Sequence, residues 1–319
     1  MSRTSVRDRR APWSAALVVA LAVTGVAAAA PAASAAPFDL AGWATQGGGT
    51  TGGGGATPVT VSTAAAFTAA VKATGPAVVR VTGAIALSGT AAVSSDKTII
   101  GVGSGAAITG HGLNISRSAN VIVRNLNFRN WADDAINVQY STRVWIDHNS
   151  FASGKDGAVD IKRAADLVTV SWNKFSSHDK TMLLGHSDDN GGEDRGKLRV
   201  TYHHNFFDGT GQRHPRVRFG NPVHVYNNYY GGVTSYGVAA TKEGGVLVEG
   251  NFFENTKDPF HLGEGSSPAG TLVARSNHFV SSGSGQTGGS VRSIPYSYPL
   301  DRASEVKTIV RNGAGPGRI

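Results

Sequence analysis

Val144-Trp145-Ile146-Asp147-His148-Asn149-Ser150-Phe151 reads apolar, any, apolar, any, any, Asn, any, aromatic. The same pattern returns at Val168–Phe175, Val200–Phe207, Val223–Tyr230, Val246–Phe253 and Leu272–Phe279, and Val121–Phe128 fits it with Leu126 in the Asn slot. The closing aromatics fall at 128, 151, 175, 207, 230, 253 and 279, so the intervals are 23, 24, 32, 23, 23 and 26 residues. Self-similarity at a fixed period of this size marks a solenoid. The one long interval contains the polar stretch Gly185 to Gly196 and reads as a loop inserted into one coil.

Short β-rich runs at this period, with no helix between them, predict an all-β chain wound as a right-handed parallel β-helix, each coil stacked on the next at about 4.8 Å. Leucine-rich repeats have a similar length but need a Leu framework that is absent here. Stacking places Asn149, Asn173, Asn205, Asn228, Asn251 and Asn277 in one column, where their amides can form a hydrogen-bonded ladder that satisfies buried backbone groups. The aromatics stack beside it, and both columns are assigned to structure. Ahead of the coils, Ser62 through Lys72 predicts a short capping helix with Ser62 as N-cap. Residues 46–58, rich in Gly, read either as a flexible linker or as a glycine-rich loop leading into the coils. Helical periodicity does not return in any long segment.

The composition agrees. The 319 residues include 42 Gly, close to twice the average usage of about 7%, as many tight turns require. There is no Cys, which excludes disulfide scaffolds, Cys-ligated zinc, iron–sulfur clusters and thiol nucleophiles, and leaves oxygen or imidazole to hold any metal. Arg3, Arg7, Arg9 and Arg10, an apolar run from Ala15 to Ala30 and the A-x-A site Ala33-Ser34-Ala35 predict a secretory signal peptide over residues 1–35. The apolar run is shorter than the roughly 20 residues a membrane span needs. Residues 36–319 are then a single secreted β-helix domain, expected to be monomeric and free of the membrane. Cleavage removes four basic residues and Asp8, so the formal +8 becomes 26 against 21, or +5. A modest positive balance suits an anionic partner.

Positions five or six residues after each closing aromatic line up across coils. They are Asp134, Asp156, Lys180 and Arg213, followed by Tyr236. Two acids and then two bases thus share one stripe, about 15 Å long over four coils at the stacking distance. Asp160 joins the acidic end if the chain bends at Gly157, because residues four apart on a straight strand are about 13 Å apart. Oxygen-only ligands favour Ca²⁺ over the stricter Mg²⁺. At the basic end, Arg213-His214-Pro215-Arg216-Val217-Arg218 sends Arg216 and Arg218 to one side of a strand, as a phosphate or carboxylate reader would. His203-His204 is a poor metal pair, since adjacent strand residues face opposite ways.

At these residues the sequence resembles the pectate lyases of polysaccharide lyase family 1, from about Lys97 to Tyr230. The most specific pieces are Val144-Trp145-Ile146-Asp147-His148-Asn149, Asp156-Gly157-Ala158-Val159-Asp160-Ile161-Lys162, His178-Asp179-Lys180 and Arg213-x-Pro215-x-x-Arg218. The resemblance implies Asp134, Asp156 and Asp160 as calcium ligands, Arg213 as the base, and Lys180 and Arg218 as binders of substrate carboxylates, with Arg216 taken alongside Arg218. Some members carry a further acid two positions before the first ligand; here that position is Ala132, which leaves Asp133 or the substrate to help. Asp147, His148 and Lys162 are assigned to the framework.

The activity so implied is calcium-dependent β-elimination on (1→4)-α-D-galacturonan, that is, polygalacturonate. The C5 hydrogen of a galacturonate ring becomes acidic once its carboxylate is neutralised, and its removal expels the C4–O bond to leave a 4,5-unsaturated end. Arginine normally keeps its proton above pH 12, and lowering its pKa by three units costs about 4 kcal/mol, so an alkaline optimum is expected. A pectin lyase acting on methyl-esterified chains is the nearest alternative, but it predicts that Asp156 and Asp160 are replaced and the cleft is rich in Trp. Gly110-His111-Gly112 and Asp133-Asp134 mimic motifs of polygalacturonase hydrolases in reversed order, and hydrolysis needs two cooperating carboxylates, whereas this stripe sets bases opposite acids. A non-catalytic β-helix that binds acidic polysaccharide is the alternative from another class. Nucleic acid is not expected, since no basic cluster is interleaved with exposed aromatics.

Overall fold

A left-handed residue directly precedes each asparagine of the repeat: His148, Trp172, His204, Asn227 and Ser276 have φ of 52°, 54°, 54°, 50° and 55°, and Gly250 has 63°. A second left-handed column lies two residues after each closing aromatic, at Asn130, Ser153, Ser177, Gly209, Gly232, Asn255 and Ser281. Each non-glycine residue there costs about 1–2 kcal/mol, so something in the coil must offset it. The asparagine ladder does so at the first column. Nδ2 of Asn149 donates to Oδ1 of Asn173 (3.1 Å), and the pattern continues through Asn205, Asn228 and Asn251 to Asn277 (3.0 Å). Each amide also donates to a strand carbonyl of the preceding coil, as Asn149 does to Val123 (2.9 Å). Leu126, in the Asn slot of the first copy, ends the ladder by donating its N–H to Asn149 Oδ1 (3.1 Å).

The computed structural model describes residues 1–2 and 39–319; the predicted signal peptide, apart from its first two residues, lies outside the described residues. Between the turns, the described strands form three parallel sheets of ten, eight and nine strands, each strand paired with its equivalent one coil on. Val144 pairs with Val168 and Val168 with Val200. The chain is the parallel β-helix that its repeat predicts. The closing aromatics stack inside it, with centroids 5.0 Å apart for Phe128/Phe151, 4.9 Å for Phe151/Phe175 and 4.4 Å for Tyr230/Phe253. Such pairs contribute about 0.5–1.5 kcal/mol each beyond area burial.

The start of the coil is covered by a helix and its far end only in part, with Phe279 left 38% exposed. Helix α1, Ala64–Lys72, buries Phe67 and Val71 in the core. Its N-cap is Thr63, whose side chain accepts from the Ala66 N–H at 3.3 Å, one residue later than the sequence predicts. At the far end, residues 283–288 bond back to the last coil through Gly283 N–H to Thr256 O and Gln286 N–H to Phe260 O. Residues 46–58 form a packed loop rather than a linker, since the N–H groups of Thr51 and Gly52 both donate to Asn120 Oδ1 at 2.7 and 2.8 Å. Two short helices were not predicted: α2, Gly191–Asp194, within the inserted stretch, and α3, Val306–Gly313. α3 lays Val306 and Val310 over Phe206, Tyr229 and Phe252. Pieces this short gain their helicity from packing and carry little periodic signal.

His203 and His204 do not face opposite ways, as two residues of one strand would. His204 lies past the strand Val200–His203 and is left-handed, so the two rings meet and their Nδ1 atoms are 2.9 Å apart.

Candidate active site

The site lies on the eight-stranded sheet and on the turns that lead into its strands. Asn137 pairs with Asp160 across two coils, and Leu183 pairs with Arg216 across the next two. The turn at Asp133-Asp134 and the turn at Asp156 are stitched together by the Asp156 N–H, which donates to Asp133 O at 3.2 Å. As a result, carboxylate oxygens of Asp133, Asp134 and Asp156 all lie within 4.8 Å of one another. Asp160 follows on the strand Val159–Lys162 and is 5% exposed. A Cβ on Gly157 would sit 2.1 Å from Asp160 Oδ1 and 2.9 Å from Asp134 Oδ1. Only glycine leaves room for these two carboxylates to converge, so Gly157 acts by close approach as much as by bending the chain.

The sequence places Asp134, Asp156 and Asp160 together, with Asp133 or the substrate to help. The structure brings Asp133 into the mutual cluster and seats Asp160 beneath it. Asp160 accepts from the Leu183 N–H at 3.2 Å. Burial, and then the charge of Asp134, push its carboxyl up to about 7. Burial likewise raises Asp134, against the pull of Lys162. Lys162, assigned to the framework on sequence, is part of the site: its Nζ is 2.9 Å from Asp134 Oδ2 and 3.8 Å from Asp160 Oδ2. Alternation on the strand puts Lys162 on the same side as Asp160, a signal legible in the sequence.

Lys180 reaches Asp156 at 3.3 Å, with both side chains about half exposed. The next coil is fixed to this one by the Gln212 N–H to Asp179 O at 2.8 Å and the Met182 N–H to Arg213 O at 2.7 Å. Arg213 is itself left-handed, with φ of 65°. Its neighbour His214 is fully buried between Thr210 Oγ1 (2.8 Å) and Tyr236 O (2.9 Å). Burial pulls that imidazole down to about 3, so it is a neutral strut for the turn that presents Arg213. Tyr236, the next residue on the stripe, is 3% exposed and lies beside Arg213, so its ring has no open face to offer a sugar.

Arg216 and Arg218 point the same way, as strand alternation predicts, because each has an Nη2 near Ser267 Oγ (2.8 and 3.3 Å). Both are held in place, but of the two only Arg218 has an ion-pair partner among the described residues. Arg218 is 9% exposed and its Nε donates to Asp188 at 2.6 Å; Arg216 also donates to Glu264 O at 3.1 Å. Asp188 belongs to the inserted loop and Ser267 to a turn two coils on, and no spacing in the sequence marks either. Asp147 is fully buried among Arg124, His148 and Ser171, as its framework assignment requires.

The acidic turns suit a calcium ion on the chemistry of their donors: they offer carboxylate oxygens only, crowded closely enough that burial and mutual repulsion raise two of them. The arrangement as a whole can hold a cation at one end and set cationic nitrogen groups, Lys180 and Arg213, beyond it.

A family model described as pectate lyase matches residues 14–318. The chain is 42% identical over 315 residues to a probable pectate lyase A of Aspergillus flavus, covering 94% of this chain and 96% of the relative. It is 36% identical over 306 residues to a pectate trisaccharide-lyase of Bacillus licheniformis, covering 89% and 88%. Among solved structures it is similar to a pectate lyase from Bacillus sp. N165 in complex with trigalacturonate. The TM-score there is 0.81 at 31% identity, over 88% of this chain and 99% of that one. Pectate lyase II from Xanthomonas campestris gives 0.78 at 28% identity, over 89% and 99%.

Proposed function

Because the chain belongs to the pectate lyase family, we propose that it cleaves polygalacturonate by β-elimination, with Arg213 as the base and the acidic turns as a calcium site. The observation that carries the assignment of roles is the separation of charge along one face: Asp133, Asp134, Asp156 and Asp160 at one end, Lys180 between, and Arg213 beyond it. Lys180 neutralises the carboxylate of the ring to be cleaved. Calcium, held by Asp133, Asp134, Asp156 and Asp160, supplies further neutralisation of that carboxylate when bound. Acting as the neutral guanidine, Arg213 then takes the C5 proton and later returns it to solvent; the C5–H electron pair forms the C4–C5 double bond, and the C4–O bond breaks, its oxygen gaining a proton from solvent. Arg216 and Arg218, held by Ser267 and Asp188, add positive charge for neighbouring uronate groups.

Pectate rather than methylated pectin is favoured by the tryptophans. Trp43, Trp131, Trp145 and Trp172 are all at most 6% exposed, so among the described residues no indole lines the face. Secretion is supported by the leader that the sequence predicts over 1–35, and a monomer by the helix that closes the first coil. No helix among the described residues is long and apolar enough to cross a membrane. The test is absorbance at the conjugated-alkene band on polygalacturonate with calcium or with chelator, beside methylated pectin. A calcium-dependent rise on polygalacturonate is expected; no rise rejects the elimination chemistry, and a rise that survives chelation rejects the calcium site.

A further inference from the structure

Trp131 sits where three turns of the site meet. It immediately precedes the acidic turn Ala132-Asp133-Asp134, it is 1% exposed, and its own carbonyl accepts from the Lys155 N–H at 3.0 Å. Its indole Nε1–H donates to the carbonyl of Asp156 at 3.2 Å. Its ring lies 4.9 Å from that of His178, whose Nε2 is 2.9 Å from Lys180 O. The indole occupies the space over Gly154, where an added Cβ would come within 1.8 Å of the ring. Of the bonds joining the two acidic turns, the others are backbone to backbone; the Nε1–H bond alone among them is made by a side chain. One buried indole therefore touches the Asp156 turn, the turn of Asp133 and Asp134, and the support of Lys180.

We propose that Trp131 is a positioning residue that fixes the separation of the two acidic turns for calcium and couples them to Lys180; the inference rests on the calcium site proposed above. The indole is a rigid spacer. Its plane sets how far the 154–156 turn stands from the 132–134 turn, and its N–H sets the rotation of the Asp156 peptide and with it the direction of the Asp156 carboxylate.

Trp131→Phe keeps most of the ring and deletes the N–H. Calcium titrated calorimetrically into the variant is expected to bind about fivefold more weakly, the size of one hydrogen bond. The calcium concentration for half activity should shift by the same factor, while kcat at saturating calcium stays within about twofold of wild type. Gly154→Ala, which displaces the ring, is expected to weaken calcium further. A lowered melting temperature with an unchanged calcium isotherm overturns the proposal and leaves Trp131 as core packing. In the wild-type protein the indole N–H resonance of Trp131 should move on calcium addition while that of Trp145 does not; a Trp131 resonance that stays put also overturns it. A wild-type chain with no calcium isotherm overturns the calcium site and this inference together, whereas wild-type binding with an unaffected Trp131→Phe overturns this inference alone.

Discussion

Asp160 and Glu249 are both buried carboxylates on strands of one solenoid, and they are held in opposite ways. Glu249 is 1% exposed and accepts from His224 Nε2 at 2.8 Å, from Arg275 and from the Tyr298 hydroxyl. Burial alone would raise it, yet those hydrogen bonds outweigh burial and hold it down at about 2. Asp160, 5% exposed, has one backbone N–H and a lysine 3.8 Å away, and stands at about 7. The arginines divide the same way: Arg218 is tied to Asp188, whereas no ion pair among the described residues includes Arg213. Glu249, which serves the scaffold, is saturated by partners of its own. Asp160 and Arg213, on the face assigned to the substrate, are left with fewer.

The largest break in this contrast comes from the spare cation. Arg213→Lys should cut kcat by about 10² to 10⁴, the range for a lost general base, with no change in melting temperature because no ion pair is broken. Unchanged turnover and pH profile would remove Arg213 from the chemistry. Glu249 should behave in the reverse sense. Glu249→Gln is expected to cost about 3–5 kcal/mol of stability, as breaking a buried pair does, with kcat of the folded fraction intact. The acid profile follows from the same carboxylate. Its folded pKa of about 2 lies below its ordinary value of 4.5, so its contribution is complete above 4.5 and is lost as pH falls from there toward 2. Thermal melts across that window should show Glu249→Gln losing less stability than wild type; equal slopes would show that Glu249 is not a saturated group.

The repeat made most of this scaffold legible. The asparagine spacing predicts both the ladder and the aromatic stack because a solenoid turns sequence period directly into spatial columns, and the stripe from Asp134 to Arg213 is read by the same rule. Where a side chain's partner comes from another coil by way of a loop, the rule says nothing. Arg218 reads as a free anion binder on its strand, and only the folded insertion supplies Asp188. Lys162 was within reach, two residues from Asp160 on one strand, but its position between two carboxylates depends on how closely Gly157 lets them approach. The left-handed columns were hidden for a different reason. Asn, Ser, His and Trp occupy them as well as Gly, so glycine content marks only some of the turns.

The sharpest test applies one chemical edit, carboxylate to amide, at two places. Asp188→Asn removes the partner of an arginine that is 9% exposed, and a lost charge-assisted hydrogen bond of this kind is expected to cost about 1.5 kcal/mol, at the low end because Asp188 is 28% exposed. Asp156→Asn removes a carboxylate whose pairing with Lys180 is exposed on both sides, at 46% and 40%, and such a pair contributes less than about 1 kcal/mol. Against that small loss stands relief from Asp133 and Asp134, whose oxygens lie within 4.8 Å. The melting temperature of calcium-free Asp156→Asn should therefore match or exceed that of wild type while Asp188→Asn falls below it. Calcium affinity should respond in the opposite order, dropping at least about tenfold for Asp156→Asn and hardly at all for Asp188→Asn. If calcium-free Asp156→Asn melts as far below wild type as Asp188→Asn does, the acidic turns are structurally saturated after all, and the distinction between spare and satisfied charges does not hold on this face.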